Sequence, residues 1–322
     1  MKAIRVKQTG GPEVMELADA PTPQAKPNDA VVKVSAAGVN RIDAYFRSGQ
    51  YKTPLPFVPG QEGAGVVTAV GAGVKSVKAG DRVAWSGTLG SYAEYVLASA
   101  DALVPVPPGV SDQDAAATML QGLTAHYLST DAYRLKKGDT ALILSAASGV
   151  GLLLIQMARS LGARVIGTVS NTEKARAARE AGADEVILYA DSDFEAETRK
   201  LTSGKGVDVV YDGVGRATFD RSLNVLRPRG TLVLYGASSG PVPPVDPVTL
   251  SDKGSLYMAR TTLAHFTATR EELVARSSAI FAMILAGKLQ LRIGRKYPLA
   301  EAPQAHRDLE SRTISGKLLL LP

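Results

Sequence analysis

From Gly138 onward the chain repeats one unit, a short apolar run followed by a longer helical one, and that repeat fixes its fold class. Thr140–Ser145, Ala163–Val169, Glu185–Leu188, Val207–Tyr211 and Thr231–Tyr235 read as strands. Gly149–Leu161, Thr172–Ala181, Asp193–Thr202 and Thr218–Leu226 read as the helices between them. Such alternation builds βαβ units, hence a parallel sheet covered on both faces and joined by right-handed crossovers. The stretch Thr140–Ala158 carries no charge and is about membrane length. Its central Ala146-Ala-Ser-Gly149 fits a buried strand, a tight turn and a buried helix, so no membrane span is expected.

The flanks have a different texture. Residues 1 to about 110 are β-rich, with Ala30–Val34, Gly65–Val70, Arg82–Trp85 and Tyr92–Val96 punctuated by Gly, Pro and Asp, as in a small barrel or sandwich. Ser111-Asp-Gln-Asp114 is an N-cap signal for a following helix. Near the other end, Thr269-Arg-Glu-Glu272 is a capping box for a helix over Arg270–Lys288. Leu291–Tyr297 and Lys317–Leu321 read as strands with a helix between them, and this tail is expected to return to the first domain. The expected division is therefore 1–122 with 266–322, and 123–265.

Composition narrows the chemistry. The chain contains no cysteine, which removes thiol nucleophiles, disulfides and every Cys-ligated zinc site. Its three histidines, His126, His265 and His306, are far apart and form no H-x-x-x-H pair, so no metal site is expected. Each reads as a core or interface residue, none as a catalyst. Thirty-seven Lys plus Arg against thirty-one Asp plus Glu give a net charge of +6, spread along the chain, with no basic tail of the kind nucleic-acid binding uses. Met1-Lys-Ala-Ile-Arg-Val-Lys7 has no apolar h-region, and a soluble cytoplasmic protein is expected.

After the first strand of the repeat comes Ala146-Ala-Ser-Gly-Val-Gly151, opening a helix. Against the pattern G-x-G-x-x-G, Ala146 and Ser148 replace the first two glycines and Gly151 is the third. Small residues still permit a tight turn and close approach of a pyrophosphate to the helix N-terminus. The hexapeptide alone fits any tight βα turn equally well; the strand before it and the helix after it favour the nucleotide reading. About twenty residues on, where NAD sites place an acid, the chain has Val169-Ser-Asn-Thr-Glu-Lys174. Ser170, Asn171 and Lys174 offer hydroxyl, amide and ammonium donors that suit a 2′-phosphate, which predicts NADPH over NADH. Asn171 and Thr172 also read as the cap of the next helix, a role compatible with binding, and Glu173 is an acid nearby.

Gly138-Asp139 through Leu142, Ala146-Ala147, Gly149-x-Gly151, Gln156 and Arg159 closely resemble the signature of the quinone oxidoreductase and ζ-crystallin family, in the zinc-free branch of the medium-chain dehydrogenase/reductases. The likeness continues through Ala37-Gly-Val-Asn-Arg-Ile-Asp43, Arg47-Ser-Gly-Gln-Tyr51, Pro59-Gly-Gln-Glu-Gly-Ala-Gly65, Ala79-Gly-Asp-Arg-Val83, Tyr211-Asp-Gly-Val-Gly215 and Leu309-Glu-Ser-Arg312. It implies an α/β protein with a Rossmann-type doubly wound parallel sheet and a GroES-like β-barrel catalytic domain made from both chain ends. It also implies NADPH bound in the cleft between the domains, and a homodimer commonly joined through the edges of the two Rossmann sheets. Where zinc-containing relatives carry Gly-His-Glu, this chain has Gly60-Gln61-Glu62.

Carried over by motif position, Asn40, Tyr45 and Tyr51 lie beside the nicotinamide. Thr124, Gly149, Val150, Gly151, Ser170, Lys174, Tyr189, Gly215, Ser238 and Arg312 line the cofactor groove, and Asn171 joins them from the residue reading above. Gln121 stands where the family often has lysine. Blander roles exist for several: Tyr45 and Tyr51 covering a barrel mouth, Thr124 bonding within its helix, Arg312 pairing with Glu310, Gly149 and Gly151 serving backbone geometry alone. With no metal to polarise a carbonyl, the acceptor must already be electrophilic, and a quinone meets that requirement. Tyr51 is the candidate hydrogen-bond donor to an acceptor oxygen, with Asn40 orienting the nicotinamide side. The alternatives are an NADPH-dependent reductase of α,β-unsaturated aldehydes or ketones, and a low-turnover NADPH-binding or RNA-binding protein, for which Arg292, Arg295 and Lys296 offer only scattered charge. Phe46, Phe57, Trp85, Tyr257 and Leu263 are candidates to line the acceptor site.

Overall fold

The computed structural model describes residues 1–311 and 313–322. In chain order, β1 (Lys2–Val6) and β2 (Met15–Asp19) pair antiparallel. β3 (Asp29–Val39) leads into α1 (Arg41–Arg47), followed by β4 (Glu62–Val70), β5 (Arg82–Ser86), β6 (Tyr95–Ser99), β7 (Val104–Pro105) and α2 (Asp112–Tyr127). The β/α repeat then runs β8 (Thr140–Ile143), α3 (Gly149–Ser160), β9 (Arg164–Val169), α4 (Thr172–Glu180), β10 (Glu185–Leu188), α5 (Phe194–Leu201), β11 (Val207–Asp212), α6 (Phe219–Asn224), β12 (Leu226–Leu234), α7 (Val248–Asp252) and β13 (Tyr257–Arg260). The tail supplies α8 (Arg270–Leu285), β14 (Ile293–Pro298), α9 (Ala302–Ser311) and β15 (Lys317–Leu321).

Two compact units result, one of Met1–Leu123, Thr267–Gly287 and Leu291–Pro322, the other of Thr124–Phe266 and Lys288–Gln290. In the first, β3 is the hub: it pairs with β4, β6 and β15, all antiparallel, in a sheet whose path is β14-β15-β3-β4-β5-β7. Bulges between β3 and β4 at Val31/Val32 and Val34/Ala36 bend this pair, as closing a small barrel requires. Ile4, Val32, Trp85, Tyr92, Leu103 and Tyr297 fill its interior, each at most 1% exposed, so each contributes about 1.5–3 kcal/mol of burial.

In the second unit all six strands are parallel, in the order β10-β9-β8-β11-β12-β13. Counted from β8 this is 3-2-1-4-5-6, the order of doubly wound dinucleotide-binding sheets, with its switch point between β8 and β11. The boundaries depart from the sequence reading in several places, among them β3, which runs on to Val39, and β4, which begins at Glu62. β6 lies at Tyr95–Ser99, not Tyr92–Val96. α8 stops at Leu285, short of Lys288. β12 begins at Leu226, and α6 is correspondingly shorter, because Arg229 takes a left-handed conformation (φ +60°) that lets the Pro-Arg-Gly segment stay in the strand. β13 was not expected: as the edge strand it has one neighbour and exposes both faces, so it carries no burial periodicity.

Candidate active site

In the parallel unit the predicted residues gather at the carboxyl ends of the strands. β8 ends at Ile143, and the chain turns through Ser145 (φ +56°) and Ala146 before α3 begins. Ala146 can replace a glycine here because its neighbour on β9 is Gly167: a Cβ at that position would sit 2.7 Å from the Ala146 methyl. Ser148 caps α3, its Oγ accepting the Gly151 amide at 3.1 Å. That leaves the Gly149 and Val150 amides outward at the positive end of the helix, with no partner among the described residues. Gly151 itself serves close packing, since a Cβ on it would lie 2.5 Å from the Ala146 carbonyl oxygen.

The next strand ends at the buried Val169, and Ser170 and Lys174 meet there, Nζ to Oγ 3.1 Å. Asn171 caps α4 by accepting the Lys174 amide at 2.9 Å, while Glu173 is exposed on the first turn. Tyr189 follows β10, 47% exposed, its amide bonded to the Val169 carbonyl, so it stands beside Ser170. Gly215 (φ +88°) and Ser238 occupy the loops after β11 and β12, and the Ser238 amide bonds the Gly213 carbonyl. Thr124 is buried on α2. Arg312 lies outside the described residues.

Sequence reading missed what organises the β11 loop. Asp212 is fully buried at the end of β11 and accepts four bonds: Val214 and Gly215 amides on Oδ1 at 2.7 and 2.9 Å, Thr218 and Ser222 hydroxyls on Oδ2 at 2.8 and 3.0 Å. Its signal was present in Tyr211-Asp-Gly-Val-Gly215, as an acid ahead of two glycines.

In the barrel unit, sheet register assembles a buried polar cluster around Asn40. Val39 opposes Leu318 and Ala37 opposes Gly63, so one further step brings Asn40 level with Lys317 and Gly38 level with Glu62. Gly38 has to be glycine, because a Cβ there would lie 2.2 Å from Glu62 Oε2. Lys317 and Glu62 form an ion pair with side chains only 3% and 0% exposed. Lys317 Nζ also donates to Asn40 Oδ1 (2.7 Å), Asn40 Nδ2 donates to Glu62 Oε2 (2.8 Å), and the Leu120 amide donates to Glu62 Oε1 (2.5 Å). Lysine only donates and carboxylate only accepts, so the orientation of the Asn40 amide is fixed. Two longer bonds complete it, Gln121 Nε2 to Oδ1 at 3.4 Å and Nδ2 to the Gly38 carbonyl at 3.3 Å.

Asn40 is also the N-cap of α1, where Asp43 Oδ2 accepts its backbone amide at 2.9 Å. Behind Asp43 runs a directional chain. Arg47 Nη1 can only donate, so His306 Nδ1 (3.0 Å) accepts; His306 Nε2–H then faces Tyr92 OH (3.1 Å), which donates to Asp43 Oδ2 (3.1 Å). Arg47 is anchored in turn by Glu310 at 2.6 Å. Burial, then the Arg47 charge, depresses the His306 pKa to about 3, so the ring is neutral. Burial raises Asp43 to about 7 against the opposing pull of the Asn40 amide and Lys317. Tyr51, just after α1, is brought against Tyr45 on that helix: the Tyr51 amide bonds the Tyr45 carbonyl and their rings meet edge-on at 5.3 Å. Tyr51 is 38% exposed, and its hydroxyl has no partner among the described residues. Two of the residues expected to line the acceptor site are core instead: Trp85 is 0% and Phe57 8% exposed. Tyr257 lies on the edge strand β13.

Comparison with known proteins finds two family matches along the chain. The family described as alcohol dehydrogenase GroES-like domain matches residues 26–108, and that described as zinc-binding dehydrogenase matches residues 149–278. Quinone oxidoreductase of Pseudomonas aeruginosa is 45% identical over 323 residues, covering 100% of this chain and 99% of that protein. The crystal structure of Escherichia coli quinone oxidoreductase complexed with NADPH superposes with a TM-score of 0.98 at 42% identity, over 100% of both chains. A 2-haloacrylate reductase from Burkholderia is 39% identical over 329 residues, covering 99% of this chain and 98% of that protein. With likeness of this degree over the whole length, in a sequence that has no cysteine and carries Gln61 where zinc-containing relatives carry histidine, the chain belongs to the quinone oxidoreductase family, in the zinc-free branch of the medium-chain dehydrogenase/reductases.

Proposed function

We propose that the protein is an NADPH-dependent reductase of quinones. The observation that carries this reading is the carboxyl edge of the parallel sheet, where two outward amides at the start of α3 stand one strand away from the Ser170–Lys174 pair. These groups fit NADPH: the amides and helix dipole suit its pyrophosphate, and the Ser170 hydroxyl with the Lys174 ammonium suits its 2′-phosphate. When bound, NADPH supplies hydride chemistry from its nicotinamide. The chain's own residues then have three tasks. The Thr124–Phe266 unit holds the cofactor through Gly149, Val150, Ser170, Asn171, Lys174, Tyr189, Gly215 and Ser238, with Gly151 keeping the turn close to α3. Asn40 and Tyr45 orient the nicotinamide side. Tyr51, whose hydroxyl has no partner among the described residues, donates a hydrogen bond to the acceptor oxygen that gains charge.

The test is anaerobic NADPH oxidation with an ortho-quinone and a chelator. Turnover is expected with NADPH strongly preferred over NADH; binding of neither cofactor would overturn the reading. Lys174→Ala should raise the KM for NADPH roughly 10- to 150-fold, the worth of one charged hydrogen bond, and leave that for NADH unchanged. Tyr51→Phe should lower kcat/KM by a similar factor while NADPH affinity holds. A second reading, reduction of an activated alkene, is favoured by the likeness to the 2-haloacrylate reductase, and an enone in place of the quinone separates the two.

The protein acts as a cytoplasmic homodimer in this proposal. Among the described residues no helix is long and apolar enough to cross a membrane. β13 ends its sheet with an open hydrogen-bonding edge and exposes Tyr257 (62%) and Met258 (39%), a surface that suits the same strand of a second copy. Light scattering should return twice the chain mass, and Met258→Lys should shift the equilibrium toward single chains; a monomer at micromolar concentration would refute it.

A further inference from the structure

We propose that Glu62 and Lys317 are positioning residues for the reductase reaction, holding the Asn40 carboxamide and the start of α1 in the single orientation that the nicotinamide side requires. The inference rests on the functional reading above, and within it names two residues that reading does not use.

Three observations carry it. Both side chains are almost wholly out of water, yet each keeps its charge partner and spends a further bond on Asn40. A buried ion pair is costly to desolvate and adds little net stability over an apolar pair of the same size. Glu62 and Lys317 do something an apolar pair would not, because only a donor-only group on one side and an acceptor-only group on the other prevent the Asn40 amide from flipping. The sheet also makes room for the pair at a cost, by keeping glycine at position 38 within an eleven-residue strand.

The geometry of Asn40 is graded. Its two short bonds, 2.7 and 2.8 Å, go to Lys317 and Glu62; its two long ones, 3.4 and 3.3 Å, go to Gln121 and to the Gly38 carbonyl. The short bonds fix the plane of the amide. The long ones are the capacity a ligand can take over, from a group already aimed. Since Asn40 also occupies the N-cap position of α1, and Tyr51 is hydrogen bonded through its amide to the Tyr45 carbonyl on that helix, the same two residues hold the platform carrying both tyrosines.

The experiment uses the whole protein and two variants. Lys317→Met alone strands the Glu62 carboxylate and is prone to misfold, so it is paired with the double variant Glu62→Gln/Lys317→Met, which removes both charges and keeps the bulk. The first readout needs no cofactor. The chain has four asparagines, Asn28, Asn40, Asn171 and Asn224, so selective ¹⁵N-asparagine labelling resolves the Asn40 side-chain amide. In the wild-type protein that amide should be shifted and protected from exchange; in the folded double variant it should exchange like an exposed one. The second readout is the face of transfer, followed with NADPH deuterated at either C4 position. Wild type should show a primary isotope effect with one label only, and the double variant with both. kcat should fall about ten- to a hundredfold with NADPH affinity within twofold, the signature of misplacement rather than lost binding. Introduced into Asn40→Ala, the same substitutions should cost no further kcat, because their effect passes through Asn40. An active wild type alongside a double variant with unchanged kcat, one-sided isotope effect and protected amide overturns the positioning role alone. A wild type that neither binds nor oxidises NADPH overturns the functional reading as well.

Discussion

Replacing Asp212 with alanine is expected to destabilise the parallel unit by about 3–5 kcal/mol and to abolish NADPH binding with it. The carboxylate is fully buried and satisfies two backbone amides and two hydroxyls. Alanine leaves all four donors without an acceptor. The hydroxyls can turn elsewhere, as Thr218 Oγ1 already does toward the Gly215 carbonyl at 3.1 Å. The Val214 and Gly215 amides cannot turn, and Gly215 sits at φ +88° because Asp212 holds it there. Asp212→Asn should therefore be mild, about 1 kcal/mol, with the amide oxygen on the two backbone donors and the hydroxyls reversing to accept from its nitrogen. Urea unfolding and NADPH titration of the two variants check the account. Equal losses for alanine and asparagine would show that the reversible hydroxyls and the fixed amides do not differ in the way described.

The features legible in the sequence were those with local causes. The parallel sheet followed from the alternation of short apolar runs with helices, and the turn before α3 from its spacing, even though Ala146 and Ser148 replace two glycines. What made those replacements possible was less visible. Ala146 depends on Gly167, twenty-one residues later, and Ser148 on the N-cap bond it makes to Gly151. β13 escaped because its four residues, exposed on both faces, are too short a run to show the alternation by which strands are recognised.

The cluster around Asn40 was hidden for a different reason. Asn40, Glu62 and Lys317 are brought together by the registers of β3 with β4 and with β15, and register is a long-range property that no local window contains. Two hints were nonetheless present: a glycine at position 38 beside Val39 at the end of a valine-containing run, and a glutamate in Gly60-Gln61-Glu62 with no charged neighbour to explain it. His306 reads correctly as a core histidine, yet its part in the chain to Asp43 depends on α9 meeting α1, which only the fold supplies.

That chain predicts an acid response in which two opposing terms can be separated. His306 has its pKa lowered to about 3 in the fold from 6.5, so the stability it contributes is complete above about pH 6.5 and is lost as pH falls toward 3. Asp43 is raised from 3.8 to about 7, so its contribution is complete below about pH 4 and is lost as pH rises through 7. Between about pH 4 and 6.5 each group changes by one proton in opposite senses, and wild-type stability should show little slope from this pair. Removing either partner exposes the other. Relative to wild type, His306→Gln should gain stability on acidification from pH 6.5 toward 3, and Asp43→Asn should gain it on raising the pH from 4 to 7. Each difference should be roughly 1.4 kcal/mol per pH unit and about 3–5 kcal/mol across its window. Glutamine preserves an acceptor toward Arg47 and a donor toward Tyr92, and asparagine preserves the acceptor for Asn40 and Tyr92, so the polar chain stays closed in both variants. Urea midpoints at half-unit pH steps give the two differences directly. Parallel curves for wild type and His306→Gln would mean that the ring takes up its proton in the fold as readily as in the unfolded chain, which would leave Nδ1 unable to accept from Arg47 and break the chain at that bond.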